Sequence, residues 1–155
     1  MTFSAGAYHL AVITKDGKLL TSGESGQSKL GRSGDGYQFS KCDLPDEIER
    51  PISVACGGSV SFVICGLTSN VAVTGTGTKG QLGLGSIRLD TNDSFQILPN
   101  VKLRHIAAGS TSNSAVCATS GVLYVWGSAN DRVLGKIRQN IFAPRPVKLP
   151  HQGQS

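Results

Sequence analysis

An internal repeat of 52 residues constrains this sequence more than any other feature. Glycines at positions 23, 75 and 127 lie 52 residues apart. The Leu-Gly pairs that follow them keep the same spacing, at residues 30–31, 82–83 and 134–135. A period of about 50 residues is typical of solenoids, propellers and other arrays, whose units bury their apolar faces against one another. The repeat therefore predicts an architecture before it predicts any chemistry.

Short apolar runs and turn residues alternate within each repeat. In the first copy, runs at residues 10–14 and 18–22 flank Asp16-Gly17, a pair typical of β-hairpin turns. The second copy follows the same plan with weaker turn chemistry at residues 68–70. No segment keeps a 3.6-residue apolar period over a helical length, and the 20 glycines suit tight turns between short strands. The sequence therefore predicts an all-β fold.

Four short motifs are spread over the copies: Phe3-Ser4-Ala5-Gly6-Ala7-Tyr8-His9, Asp16-Gly17, Tyr124-Val125-Trp126-Gly127 and Gly80-Gln81-Leu82-Gly83. In this combination and spacing the chain resembles the repeats of the regulator of chromosome condensation family. No single copy holds all four motifs. Ser22-Gly23 and Thr74-Gly75 lack the Trp, and Val60 and Ser112 occupy the position of His9.

The resemblance implies a β-propeller with blades of four antiparallel strands. Propellers usually contain about four to eight blades, so three repeats predict an incomplete ring of about three blades. The repeats are expected at residues 3–53, 54–105 and 106–150, followed by a polar tail at 151–155. Open blade edges favour pairing with other chains, so self-association is a further expectation.

The motifs that could carry chemistry are better explained by the repeat. Residues 75–80 match the dinucleotide fingerprint GxGxxG, but residues 81–85 are interrupted by glycine and offer no helix. His9 is interpreted as a framework residue, because no nucleophile stands in a strand-to-helix turn beside it. The four cysteines form no CxxC pair. We therefore predict no catalytic residue, cofactor site or metal site.

The net charge of +5 is unevenly distributed. Residues 1–50 carry six Lys and Arg against seven Asp and Glu, whereas residues 101–155 carry seven against one. Arg32 and Lys136 occupy the same position after Leu-Gly, and Arg138 lies two residues further on. Loops at one phase of a repeat gather on one rim of a propeller, which makes these three residues candidates for partner binding. The alternative is a solvated basic surface.

The leading hypothesis is a non-enzymatic scaffold that binds another protein. The alternative is guanine-nucleotide exchange on a small GTPase, which the resemblance implies through the founding family member. A third hypothesis is attachment to nucleic acid or chromatin through the basic last third, although aromatic residues are not interleaved with the basic ones. No signal peptide or membrane span is recognised, so an intracellular location, in cytoplasm or nucleus, is expected.

Overall fold

The computed structural model describes residues 1–87, 89–110, 112–117, 120–132 and 134–148. The described residues form twelve strands in three four-stranded antiparallel sheets, with short 3-10 turns at Gly26–Ser28 and Asn130–Arg132. The all-β prediction and the four-stranded blades of an incomplete ring are therefore confirmed. The predicted polar tail at 151–155 lies outside the described residues.

Each blade is a meander in which consecutive strands pair side by side. Blade 1 consists of β1 (Thr2–Ala5), β2 (His9–Ile13), β3 (Leu19–Gly23) and β4 (Ser40–Lys41). Blade 2 consists of β5 (Pro51–Cys56), β6 (Val60–Cys65), β7 (Val71–Gly75) and β8 (Gln96–Ile97). Blade 3 consists of β9 (Leu103–Ala108), β10 (Ser112–Cys117), β11 (Leu123–Gly127) and β12 (Ile141–Val147).

Local turn chemistry sets the first hairpin. The N–H of Gly17 donates to the carbonyl of Thr14 at 3.0 Å, and Gly17 has a φ of 79°, which glycine adopts without strain. The division into sequence repeats stays a prediction. Its boundaries at residues 54 and 106 fall inside β5 and β9, so the second and third sheets each begin three residues before the sequence repeat does.

Blade 2 is buried on both faces because it lies between the other two. Alternate side chains of a strand point to opposite faces. Phe62 and Ile64 accordingly pack into a cluster shared with blade 3, whereas Val63 and Cys65 pack into a cluster shared with blade 1. Burying each large apolar side chain stabilises the fold by about 1.5–3 kcal/mol. The two interfaces between blades thus form the core.

Backbone hydrogen bonds link the blades at the glycine that opens each repeat. The N–H of Ala7 donates to the carbonyl of Gly57, and the N–H of Gly58 donates to the carbonyl of Gly109, both at 3.2 Å. A Cβ built on Gly6 would stand 2.3 Å from the Gly57 oxygen, and one on Gly57 would stand 2.5 Å from the Gly109 oxygen. Glycine recurs at this position because the backbone of the next blade leaves no room for a side chain.

The long loops after β3, β7 and β11 leave the blades at the same end, and the first two of them touch each other. The N–H of Asp93 in the loop of blade 2 donates to Ser28 Oγ in the loop of blade 1. The N–H of Gly85 in the loop of blade 2 donates to the carbonyl of Phe142 at the start of β12 in blade 3. We call this end the long-loop rim; it comprises residues 24–39, 76–87, 89–95, 128–132 and 134–140. The sequence expectation that these loops gather on one rim agrees with these contacts.

Candidate protein-binding surface

The Trp-Gly motif of blade 3 packs onto the Gly-Gln-Leu-Gly motif of blade 2. Trp126 is fully buried, and its Nε1 donates to the carbonyl of Gln81 at 3.1 Å. Its ring meets Phe62 edge-on, with centroids 5.8 Å apart. A Cβ built on Gly83 would lie 3.0 Å from Trp126 Nε1, so the indole covers the glycine closely. The two motifs are thus the two halves of one contact between blades.

Blade 2 lacks the Trp, and two residues together make the contacts with blade 1 that Trp126 alone makes with blade 2: one supplies the hydrogen bond and the other supplies the ring. Thr74, at the Trp position, donates its hydroxyl to the carbonyl of Ser28 at 2.7 Å. Phe95, from the long loop, supplies the ring: a Cβ built on Gly31 would lie 2.2 Å from its Cε2. Sequence reasoning missed Phe95, because it does not occupy the repeat position of the absent Trp.

The third glycine of this series is uncovered. Gly135 has a φ of 69°, as Gly31 has 66°, so the two loops share one backbone conformation at this point. No described heavy atom lies within 4 Å of a Cβ built on Gly135. A cleft of about 600 Å³ opens there, lined by Ala129, Arg132, Gly135, Lys136, Ile137 and Arg138. We call it the blade 3 cleft.

The three predicted partner-binding residues do not form one patch. Lys136 and Arg138 are exposed and line the blade 3 cleft together. Arg32 lies in blade 1, with blade 2 between it and them. Sequence reasoning did not single out Arg132, which lines the blade 3 cleft with the two other basic residues.

The guanidinium of Arg32 is occupied inside its own blade. Its Nε donates to Thr21 Oγ1 and its Nη2 to the Thr21 and Gln38 carbonyls, while Nη1 donates to the Ser33 and Asp35 carbonyls. A guanidinium has five N–H donors, so these bonds use all of them. Arg32 orders the first long loop, and its binding to a partner stays a prediction.

Comparisons with known proteins place the repeat in a family. A search against protein-family models finds no match. The chain is 31% identical over 134 residues to the mitochondrial RCC1 domain-containing protein RUG3 of Arabidopsis thaliana, covering 85% of this chain and 30% of that protein. It is 34% identical over 153 residues to the human X-linked retinitis pigmentosa GTPase regulator, covering 94% of this chain and 14% of that protein.

A solved structure matches the fold. The crystal structure of Prp20p from Saccharomyces cerevisiae superposes with a TM-score of 0.84 at 22% identity, over 96% of this chain and 38% of that one. The repeats are of the regulator of chromosome condensation type. The chain therefore consists of regulator of chromosome condensation blades and spans less than a third of the length of the two relatives described above.

The long-loop rim of these regulator of chromosome condensation blades carries exposed apolar side chains. Tyr37 is 94% exposed, and Leu89, 52 residues later at the same repeat position, is 77% exposed. Ile87, on the same loop as Leu89, is 68% exposed. These residues were missed from sequence, because an apolar residue in a loop can equally well be buried beneath it.

The groups that could carry chemistry are used structurally. Residues 77–83 form successive turns, with the Gly80 N–H bonded to the Gly77 carbonyl and the Gly83 N–H to the Gly80 carbonyl. Burial raises the pKa of the Cys56 thiol to about 11, so it stays protonated. Within the described part of the chain, no three His, Cys, Asp or Glu residues are grouped to hold a metal ion. No helix there is both long and apolar enough to cross a bilayer.

Proposed function

We propose that the chain is a non-enzymatic scaffold that binds another protein through its long-loop rim. The observation that carries this proposal is the exposure of Tyr37, Ile87 and Leu89 at the tips of loops on two neighbouring blades. Tyr37 and Leu89 are exposed at the same repeat position of neighbouring blades, so the rim repeatedly presents a large apolar side chain to solvent, and exposed apolar surface on a loop rim is where a partner can bind. Loops held by a rigid sheet framework are also where binding residues concentrate.

A basic region extends the proposed surface onto blade 3. Lys136 and Arg138 are exposed on the same rim, and Arg132 joins them at the blade 3 cleft. Their positive charge favours a partner with an acidic region, because complementary charge speeds encounter and disfavours wrong partners. The proposed intracellular location belongs to this proposal; one relative is named as mitochondrial.

Nucleotide exchange is the second candidate function. One relative is named as a GTPase regulator, and the study of Prp20p reports its binding to Gsp1p and histones. A nucleotide-release assay on small GTPases separates the two functions. A scaffold leaves the release rate of the bound nucleotide unchanged, whereas an exchange factor raises it in proportion to its concentration.

Quantitative crosslinking tests the scaffold directly. A photo-crosslinking amino acid replaces Gln38. The yield of crosslinked partner is then compared between the chain with its native rim and the rim variant, in which Tyr37→Ser and Leu89→Ser are combined. The matched control is Leu67→Ser, which removes a side chain of similar exposure from the β6–β7 hairpin at the other end of blade 2. We expect partner yield to fall about tenfold in the rim variant, which corresponds to a loss of about 1.4 kcal/mol in binding free energy if Tyr37 and Leu89 are anchors of the interface. Equal yield from the rim variant and the control would refute the proposed surface.

A further inference from the structure

A further cleft lies between blades 2 and 3, beside β12, the last strand of its sheet. We call it the side cleft. Its volume of about 300 Å³ is at the low end of the range of about 300–1,000 Å³ for small-molecule pockets, and it suits one large side chain of a peptide. Most of the described residues that line it have apolar or aromatic side chains: Leu84, Pro99, Val101, Tyr124, Ala143 and Pro144.

Both walls of the side cleft belong to blades that the chain contains. The loop of blade 2 meets β12 through the N–H of Gly85, which donates to the carbonyl of Phe142 at 2.7 Å. A corresponding cleft of about 550 Å³ lies between blades 1 and 2, where residues 31–33 occupy the repeat positions of residues 83–85. A cleft at this place is therefore a property of the junction between two packed blades, and it does not depend on where the sequence ends.

A bulge in β12 forms one wall of the side cleft. Between two paired positions, β11 advances two residues, from 125 to 127, whereas β12 advances four, from 141 to 145. The additional residues lie within 142–144, and Ala143 and Pro144 of this bulge line the cleft. Bulges occur next to binding sites because they redirect side chains away from the regular sheet. Pro144 also has no N–H, so it presents no backbone donor to the cleft.

The floor of the side cleft is the core between blades 2 and 3. Val101 is buried within that core cluster, and Leu84 and Tyr124 are half-buried against it. Because packed neighbours already hold these side chains, a further apolar side chain can bind against them with little additional ordering.

Basic residues flank the side cleft. Lys102 directly follows Val101, Arg145 directly follows Pro144, and both basic side chains are exposed. Lys102 Nζ donates to the side-chain oxygen of Asn70, a neutral group that does not compensate its charge. Residues 94–155 contain one acid only, at position 131. The surroundings of the cleft therefore favour a ligand with negative charge.

The corresponding cleft between blades 1 and 2 has the opposite character. Three carboxylates line it, those of Asp35, Asp43 and Asp93. Among the described residues that line it, none has an apolar side chain. It suits neither an apolar side chain nor an acidic segment, so the chain contains its own comparison site.

We propose that the side cleft binds an acidic linear segment of a partner protein and that one large apolar side chain of this segment enters the cleft. The apolar side chain packs on Leu84, Val101 and Tyr124. Asp or Glu residues on either side of it lie against Lys102 and Arg145. Charge-assisted hydrogen bonds to these ammonium and guanidinium groups add to the apolar contact and discriminate against basic segments.

A peptide titration followed by NMR tests this inference. The probes are Gly-Asp-Glu-X-Glu-Asp-Gly peptides in which X is Leu, Phe or Ala, and the methyl resonances of Leu84, Val101 and Ala143 are followed in the full chain. We expect saturable shifts of these resonances with Leu or Phe at X, and binding at least about tenfold weaker with Ala. Absent binding, or equal binding of the Ala peptide, would overturn the inference.

Variants of the chain locate the bound peptide. Ala143→Trp fills the cleft from an exposed position and should weaken binding at least about tenfold while circular dichroism stays native. The matched control Ser40→Trp places the same ring, also from an exposed position, at the cleft between blades 1 and 2 and should leave binding unchanged. Arg145→Glu should weaken binding several-fold, whereas Lys15→Glu, at an exposed basic residue between β2 and β3, should not. An equal effect of Lys15→Glu would show general charge attraction and overturn the site.

Two further outcomes would also overturn the inference. Tyr37, Ile87 and Leu89, which carry the proposed function, do not line the side cleft. If the peptide shifts resonances of Ile87 and Leu89 and leaves those of the side cleft unchanged, it binds the long-loop rim. If light scattering shows a dimer that Ala143→Trp dissociates, the occupant of the cleft is a second copy of the chain.

Discussion

The imidazole of His9 in blade 1 lies 2.7 Å, from Nε2 to Oγ, from the hydroxyl of Ser61 in blade 2. The Ser61 hydroxyl donates onward to the carbonyl of Lys29 at 2.8 Å, so Nε2 carries the proton of a neutral imidazole. Nδ1 is buried and has no hydrogen-bond partner among the described residues. His9 is therefore a strut between two blades that works in its neutral form.

Acid should weaken this strut. Burial, and then the positive charge of Lys29, lower the pKa of His9 from 6.5 to about 4. The unfolded chain binds a proton at His9 below about pH 6.5, whereas the folded chain binds it only near pH 4. The contribution of neutral His9 to the free energy of unfolding is therefore complete above pH 6.5 and is lost as the pH falls toward 4. The loss amounts to about 3 kcal/mol. Urea unfolding at pH 7, 5.5 and 4.5 should show a shallower decline for His9→Val, which copies Val60. Parallel declines would exclude His9 as the cause.

Trp126 should dominate the stability of the interface between blades 2 and 3. Replacing it with Ala removes the ring that contacts Phe62 and the hydrogen bond from Trp126 Nε1 to the Gln81 carbonyl. We expect a loss of about 3–5 kcal/mol in the free energy of unfolding, measured in urea by circular dichroism. Tyr124→Ala, on the same strand but only half-buried, is the control and should cost less. Trp126 is the sole tryptophan, so its emission in the native chain reports when this interface opens.

Gly57 should not tolerate even a methyl group. A Cβ there would stand 2.5 Å from the Gly109 carbonyl oxygen, which also accepts the bond from the Gly58 N–H. Gly57→Ala must move one blade relative to the next, and we expect a cost of about 1–3 kcal/mol. Gly26→Ala is the control, because its Cβ would meet only Glu24 Oε1 at 3.6 Å. Thermal unfolding of the two variants decides the matter: similar midpoints would show that the close approach is not required.

Much of the fold could be predicted from sequence because its determinants are local and repeated. The Asp16-Gly17 turn and the apolar runs beside it specify a hairpin without reference to the rest of the chain. The recurring glycines at residues 6, 57 and 109 marked the repeat before their cause was visible. That cause is the approach of a neighbouring backbone. This close approach arises only when blades pack against each other, so the sequence of a single repeat does not reveal it.

The candidate site was predicted only in part, because it depends on what lies between repeats. Lys136 and Arg138 were found through their loop position, and they do line one cleft. Their position could not reveal that Arg32 donates all its hydrogen bonds to β3 and to its own loop. Nor could it reveal that Phe95 substitutes for a Trp that the second repeat lacks. Contacts of this kind join residues tens of positions apart, and only the packed structure specifies them.

Neutralising Glu24 and neutralising Lys29, which form an ion pair, should have unequal effects on the free energy of unfolding. Lys29 is fully buried, at the repeat position of Gln81, and its Nζ lies 2.5 Å from Glu24 Oε2, whereas Glu24 is 59% exposed. Glu24→Gln leaves a buried ammonium without its counter-charge, and we expect the free energy of unfolding to fall by about 1–3 kcal/mol. Breaking a fully buried ion pair costs about 3–5 kcal/mol, and the cost is smaller here because water reaches Glu24. Lys29→Gln leaves the Glu24 carboxylate in contact with water, and it introduces the residue type that blade 2 has at the same repeat position, Gln81. We therefore expect it to lower the free energy of unfolding by less than about 1 kcal/mol.

The double variant completes this test. Urea unfolding of the four proteins gives a thermodynamic cycle whose coupling term isolates the pair. With Lys29 already replaced by Gln, the change Glu24→Gln should have almost no effect, because no buried charge remains to be compensated. A full Glu24→Gln cost in that background would show that Glu24 acts through a contact other than Lys29.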